Sequence, residues 1–256
     1  MSKFLISVLL SLFVGLAGFS QSFLEAYQNT RVLDPAANLN GLNNDDMRSL
    51  VGNSAEFSKI MGLIGEFDDI NLAKKGIEGS VMMFNDNVNH QGRLYSNDKV
   101  YILRDINYNI DKDQFQSKLD NDSTFVYNLE TVKRVSIKDR DFAVIYNNLE
   151  GKNSIYEVIQ AGKKVSLVRK HYINLLKASP NPMVNRKTTK IQQKWAYYIV
   201  DDQDNIYEFN GKKNALLTSV KDPDKRQQLK DYMKENRLRV SKMEHLIKIF
   251  DFYNTL

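Results

Sequence analysis

Chemistry in this chain would have to start from three histidines and 31 aspartates and glutamates, because there is no cysteine. The missing thiols exclude cysteine nucleophiles, thiolate metal sites and iron–sulfur clusters together. His90, His171 and His245 lie far apart in the sequence, and none belongs to an HExxH or HxH pair. A histidine-based zinc site therefore has no local support, and each histidine reads as structural or surface. Neither a GxSxG elbow nor a GxxxxGK[ST] or GxGxxG loop occurs, so no serine triad or phosphate cradle is expected.

The acids need a closer look. Asp105, Asn107, Asn109, Asp111 and Asp113 place an oxygen ligand at every second residue, like the opening of a calcium loop. The sixth position is Ile110 instead of glycine and the twelfth is Gln116 instead of glutamate, so EF-hand geometry is out of reach. The same alternation is explained by the solvent face of a strand. Asp201, Asp202 and Asp204 read as a hairpin turn. Two carboxylates ~5–10 Å apart could hydrolyse a glycoside and would leave no sequence signature, which keeps a hydrolase as the third functional reading. No catalytic residue, metal ligand or cofactor is expected from motifs.

The least generic loop is Ser179-Pro180-Asn181-Pro182-Met183, which holds two of the four prolines. Proline lacks the N–H a ladder needs, so this segment leaves the sheet. Arg169, Lys170, Lys177, Arg186, Lys187, Lys190 and Lys194 surround it, with Trp195 just after. Two readings follow: a stiff crossover between strands, which is preferred, or a cation-rimmed docking surface formed by Arg169, Lys170, Arg186, Lys187, Lys190, Lys194 and Trp195 for an anionic envelope component or a protein partner.

The elements that must position these residues are mostly strands. Polar and apolar residues alternate over 105–111, which puts Ile106, Tyr108 and Ile110 on one face. Strand-like runs follow at 115–119, 124–127, 132–137, 142–146, 155–160, 165–176, 195–200 and 206–209, separated by turn signals such as Asn97-Asp98 and Ala161-Gly162. About ten short strands at hairpin spacing predict a mainly β, α+β chain. Its sheet system is an antiparallel sandwich or curled barrel. Two helices close it: Asp222-Pro223 is an N-cap and first-turn pair, and Ser241 with Glu244 has capping-box spacing. The predicted divisions are a signal peptide over 1–20, a lead-in with a weak helix over 21–77, an antiparallel β domain over 78–210 and a packed helical hairpin over 211–256. The weak helix rests on Phe57, Ile60, Met61 and Ile64, against Gly62 and Gly65.

The first twenty residues carry the address. Lys3 precedes an uncharged apolar run of 16 residues, 4–19, and Gly18 and Ser20 suit the small-residue positions of a cleavage site before Gln21. The expectation is export to the periplasm or beyond, with no lipid anchor, since no cysteine follows the cut. No transmembrane segment is expected in the mature chain. Charge is divided: 15 Lys+Arg against 21 Asp+Glu over 21–159, then 20 against 10 over 160–256. The basic part reads first as Lys and Arg solvating the outer faces of two amphipathic helices and a few strands, and second as a surface for an anionic partner; export removes nucleic acid from the ordinary candidates.

Four stretches resemble uncharacterised secreted proteins of Bacteroidota-type bacteria: INYN with Asp113 and Phe115, SPNPMVNR over 179–186, WAYYIVDDQDNIYEFNGKK over 195–213, and the closing LKDYMKENRLRVSKMEHLIKIFDFYNTL over 229–256. The resemblance spans roughly residues 75–256. It implies export in a Gram-negative bacterium and transfers no catalytic residue. The first functional reading is an exported, non-enzymatic binding or scaffold protein of the cell envelope. The second is a carrier of an apolar ligand or lipid in a cavity of the curled sheet, which requires a cavity of roughly 300–1,000 Å³.

Overall fold

Ile106, Tyr108 and Ile110 are all buried, as their alternation requires. The computed structural model describes residues 61–256, except 67–71, 85–89, 97–99, 104–105, 119–122, 131, 149, 180 and 182–186. Within it, a smaller sheet is formed by β1 (Met61–Glu66), β5 (Ile106–Asn109), β6 (Gln114–Lys118) and β7 (Ser123–Tyr127), in the order β1-β7-β6-β5. The larger sheet contains β2 (Ile77–Glu78), β3 (Gly92–Ser96), β4 (Val100–Leu103), β8 (Val132–Ile137), β9 (Arg140–Asn147), β10 (Lys152–Gln160), β11 (Val165–Leu176), β12 (Thr189–Asp201) and β13 (Ile206–Phe209). Its antiparallel path runs β13-β12-β11-β10-β9-β8-β3-β4, and β2 adds to β12 in parallel. β13 and β4 end the path without meeting, so the sheet is open and no barrel closes.

Two layers cover one face of the large sheet, side by side. At one end Phe142 and Val135 meet Tyr108, Phe115 and Phe125 of the small sheet. The Phe142 ring lies 5.8 Å from that of Tyr108 and 5.9 Å from that of Phe115, tilted or edge-on, which aromatic quadrupoles favour. At the other end Val165, Leu167, Ile199 and Phe209 pack under the helices α1 (Lys213–Ser219), α2 (Pro223–Glu235) and α3 (Met243–Thr255). A third cluster, with Ala143, Ile145, Tyr156, Val168 and Val200, occupies the opposite face. Close packing leaves Gly92 no room for a side chain: a Cβ there would overlap Ile106 Cγ2 and lie 2.9 Å from the Ser136 carbonyl oxygen.

The helical hairpin forms as its caps predict at one end and differently at the other. Asp222 accepts from the backbone N–H of Asp224 and Lys225, with Pro223 in the first turn. Tyr232 and Phe252 stack at 3.9 Å and 8°, joining α2 to α3. Asn254 fastens α3 to the β10–β11 turn. Its carbonyl accepts from the N–H of Lys164 (2.8 Å) and Val165 (3.1 Å), and its amide donates to the Val165 and Phe250 carbonyls. All its hydrogen-bonding capacity is thereby used inside the fold.

Several expectations are corrected. Helix α3 starts at Met243 with Lys242 as N-cap and no side-chain cap bond, so Ser241 and Glu244 form no capping box. A turn in which Lys242 N–H donates to the Arg239 carbonyl places Ser241 upstream of the cap. The helical pattern ending at Ile64 is overruled for residues 61–66, which form β1 beside β7. Two glycines make a helix costly there, and a sheet edge supplies the alternative partner. The rest of the weak helix, like the signal segment and Arg186, falls outside the described residues. The polar face of 105–111 does not face water throughout: Asn109 is fully buried, and Asn107 exchanges two hydrogen bonds with the Phe84 backbone. Residues 81–84 run beside β5 and cover it. Finally, the proline segment is no crossover. It joins neighbouring strands, because β11 and β12 pair from Val165↔Asp201 to Leu176↔Lys190.

Candidate functional site

Register brings four ionisable residues together on the covered face of the large sheet. Glu157 on β10 stands opposite Arg169 on β11 and Phe142 on β9, and His171 follows Arg169 on the same side of its strand. Arg140 reaches the Glu157 carboxylate with two donors, Nε at 2.7 Å and a terminal nitrogen at 2.6 Å. Arg169 donates Nε at 2.7 Å, and His171 Nε2 lies 2.7 Å from the same oxygen.

Glu157 is nearly inaccessible, at 4% exposure. Burial alone would raise its pKa, but hydrogen bonds from His171 and Arg140 and the charges of Arg169 and Arg140 prevail and hold it at about 2. Burial pushes the His171 pKa down against the pull of Glu157, and because an ionised carboxylate can only accept, Nε2 is the donor of their hydrogen bond. The 3.3 Å approach of Arg140 to the same nitrogen is then a contact of two donors and counts as no hydrogen bond. A carboxylate saturated by donors and ionised down to pH 2 is a poor general base at neutral pH. The cluster is an organising centre. Its outward arm is Arg169, whose guanidinium lies 5.7 Å from the Trp195 ring centroid.

A second charged junction lies where β10 and β11 separate. Their pairing runs from Gln160↔Leu167 to Glu157↔Arg169, leaving the start of β10 without β11. Asp113, in left-handed conformation (φ 53°) in the β5–β6 turn, faces that opening. Its carboxylate accepts from Tyr108 Oη (2.8 Å) and the Ile155 N–H (3.3 Å) and pairs with Lys170.

The expected docking residues are therefore not alike. Arg169 and Lys170 are committed to Glu157 and Asp113 inside the fold. Lys190 is exposed and pairs with Glu78 at 2.9 Å. Lys187 is exposed, and Lys194 half-buried opposite Tyr172 in the register. Trp195 is 51% exposed. His90 is buried beside the Phe84 ring, and His245 accepts from the Arg239 N–H. Asp201 organises its turn, accepting from Gln203 N–H, Asn205 N–H and Tyr207 Oη. Among the described residues no group of three or more His, Asp or Glu is placed to hold a metal ion.

A concavity lies between the large sheet and the helices. A groove of about 730 Å³ is bounded by Val165, Ile199 and Phe209 from the sheet and by Ala215, Val220 and Tyr253 from the helices. Lys164, Lys221 and Lys225 stand at its rim with Asp201, Asp202, Asp222 and Glu208. Asp201 and Asp222 are already occupied by backbone N–H groups, whereas the three lysines form no ion pair with another described residue.

No protein-family model, curated protein or solved structure matches the chain. Its site therefore has to be read from its own geometry. Glu157, Arg140 and Asp113 escaped the sequence reading as a group, because their partners come from different strands. The groove has no sequence signal, since it is the space left where helices meet a sheet.

Proposed function

We propose that the chain is an exported, non-enzymatic binding protein of the bacterial cell envelope, and that the groove between the large sheet and the helices is its ligand site. The observation that carries this reading is the groove itself. Its volume of about 730 Å³ lies within the usual range for small-molecule sites, and its walls are mostly apolar with charges at the rim. It is a cleft between layers, a different place from the interior of a curled sheet. The ligand that fits is amphipathic: a single apolar chain against Val165, Ile199, Val220 and Tyr253, and an anionic head at Lys164, Lys221 and Lys225.

The test is displacement of a dansyl-labelled undecanoate from the full mature chain. Palmitate is expected to compete well and hexadecanol poorly, because only the carboxylate meets the lysines. Ala215→Phe and Thr218→Phe, on the helical wall, should weaken binding about tenfold or more at unchanged melting temperature. Probe binding that ignores both substitutions would remove the groove as the site.

Export is supported by the charged start, the apolar run and the small residues before Gln21, and among the described residues no helix is long and apolar enough to cross a membrane. Expressed in a Gram-negative host, the full chain is expected in the periplasmic fraction or medium with Gln21 as its N-terminus. An uncleaved cytoplasmic product would overturn this part.

A further inference from the structure

Asp113 and Lys170 are set for more than an ion pair. They stand 57 positions apart in the sequence and bring the β5–β6 turn of the small sheet against β11 of the large one. We propose that their side chains condense to an isopeptide bond, Lys170 Nζ to Asp113 Cγ, which joins the two sheets covalently in the folded protein.

Three observations point there. The first is the surroundings of the carboxyl group, whose two oxygens are treated differently. Oδ1 accepts from Tyr108 Oη at 2.8 Å, and the Ile155 N–H lies 3.3 Å from it and 3.4 Å from Oδ2. Oδ2 meets Lys170 Nζ directly. Two donors at one oxygen are the layout of an oxyanion hole, which stabilises the charge that develops on a carbonyl oxygen under attack. Burial and the neighbouring carboxylate push the Tyr108 pKa well above its ordinary value, so the hydroxyl stays a donor. Oδ2 is then the oxygen that leaves. Cγ lies one C–O bond beyond it, which puts the nitrogen close to the roughly 3–3.5 Å of a near-attack arrangement.

The second is the state of the nucleophile. The Lys170 and Asp113 side chains are 16% and 17% exposed, and Lys170 Nζ lies 5.2 Å from the Tyr156 ring centroid. Burial disfavours the ammonium and pushes the Lys170 pKa down, toward the neutral amine that can attack a carbonyl carbon. The other charges near it, Glu150 and Lys152, pair with each other at 3.1 Å and leave Asp113 as its acceptor.

The third is that both reactants are held in place by the sheets. Asp113 sits in a left-handed turn between the paired Tyr108 and Phe115, and Lys170 lies in the β11–β12 ladder opposite Ala196. Groups fixed in this way react as if at about 10⁵–10⁸ M, which offsets the cost of forming an amide in water. The step balances within the chain. The ammonium passes one proton to Oδ2, leaving an amine and a carboxylic acid. The Nζ lone pair bonds to Cγ while Oδ1 takes the negative charge at Tyr108 and Ile155. A second Nζ proton goes to Oδ2, which departs as water as the carbonyl re-forms. One amide and one water replace the ammonium and the carboxylate, and no oxidant or other reactant is consumed. In a chain without cysteine the bond stands where many exported proteins carry a disulfide.

The test is the mass of the full chain, purified folded and denatured before measurement. It is expected to be lighter by one water than its sequence requires. Trypsin should release residues 113–118 joined to residues 170–177, because an acylated Lys170 is no longer cut. Lys170→Arg, which keeps the positive charge but removes the amine, and Asp113→Ala should each show the full sequence mass and no joined peptide. Tyr108→Phe keeps both reactants and loses one oxyanion donor, so closure should slow about a hundredfold or more and freshly made protein should contain both masses. A folded parent protein with the full sequence mass overturns the assignment, as does a one-water loss that persists in Lys170→Arg. Neither result depends on ligand binding, so the bond and the groove are tested separately.

Discussion

Glu157→Gln is expected to destabilise the protein by about 3–5 kcal/mol, the usual cost of breaking a buried ion pair from one side. The reason is what it leaves behind. Arg140 and Arg169, with side chains 31% and 20% exposed, would face each other across a neutral amide, whose single carbonyl oxygen cannot serve both arginines and His171. For a chain of this size that corresponds to a fall in melting temperature on the order of 10 °C. The combined replacement Arg140→Met, Glu157→Leu, Arg169→Met is expected to recover most of the loss, because an apolar set of similar volume carries no unpaired charge. A single Glu157→Gln variant within 1 kcal/mol of the parent in urea unfolding would show the cluster to be energetically idle.

The same carboxylate gives a pH signature. Its pKa falls from an ordinary 4.5 to about 2 on folding, so the folded state binds fewer protons than the unfolded state between those values. Its stabilisation is complete above pH 4.5 and is lost as the pH drops toward 2. The side chain is only 6% exposed, and the shift corresponds to about 3 kcal/mol. Glu157→Gln should flatten that acid limb.

Asp113→Ala is the second large effect, expected at about 3 kcal/mol or more. Three donors lose their acceptor together: Tyr108 Oη, the Ile155 N–H and Lys170. Burial already pushes the Lys170 pKa down, and Asp113 supplies the opposing charge. An alanine also tolerates the left-handed backbone less well than an aspartate does. Asp113→Asn separates these contributions, since asparagine accepts the Tyr108 and Ile155 hydrogen bonds and tolerates the backbone but offers Lys170 no charge. It should cost clearly less than alanine. Hydrogen exchange gives a local readout: the Ile155 amide should lose protection in Asp113→Ala and keep it in Asp113→Asn. Equal exchange in all three proteins would contradict the role assigned to Asp113.

Alternation made the middle of the chain legible. Ile106 and Tyr108, or Phe142 and Val144, point to one layer because a strand repeats every two residues. Asp222-Pro223 was legible because a cap acts on its own helix. Other features depend on distant segments. Lys170 meets Asp113 from 57 positions away, and Asn107 is covered by Phe84, so neither environment is written locally. β1 misled for a related reason: Met61 and Ile64 have helical spacing, and only β7 beside them decides otherwise. For the docking residues the sequence shows charge but not commitment. Arg169 and Lys187 look equivalent along the chain, yet one is spent on Glu157 and the other is exposed.

The strand order has a consequence in time. From β8 to β13 each strand pairs with its neighbour in the chain; four of these five ladders close over short turns, and β11–β12 over the longer segment between Leu176 and Thr189. Their loop-closure entropy is correspondingly small, and this meander can assemble outward from any of its hairpins. β3 reaches β8, and β2 reaches β12, only by closing much longer stretches of chain. The meander that carries both Glu157 and Trp195 therefore has the kinetic advantage, and the earlier strands join a sheet that already exists.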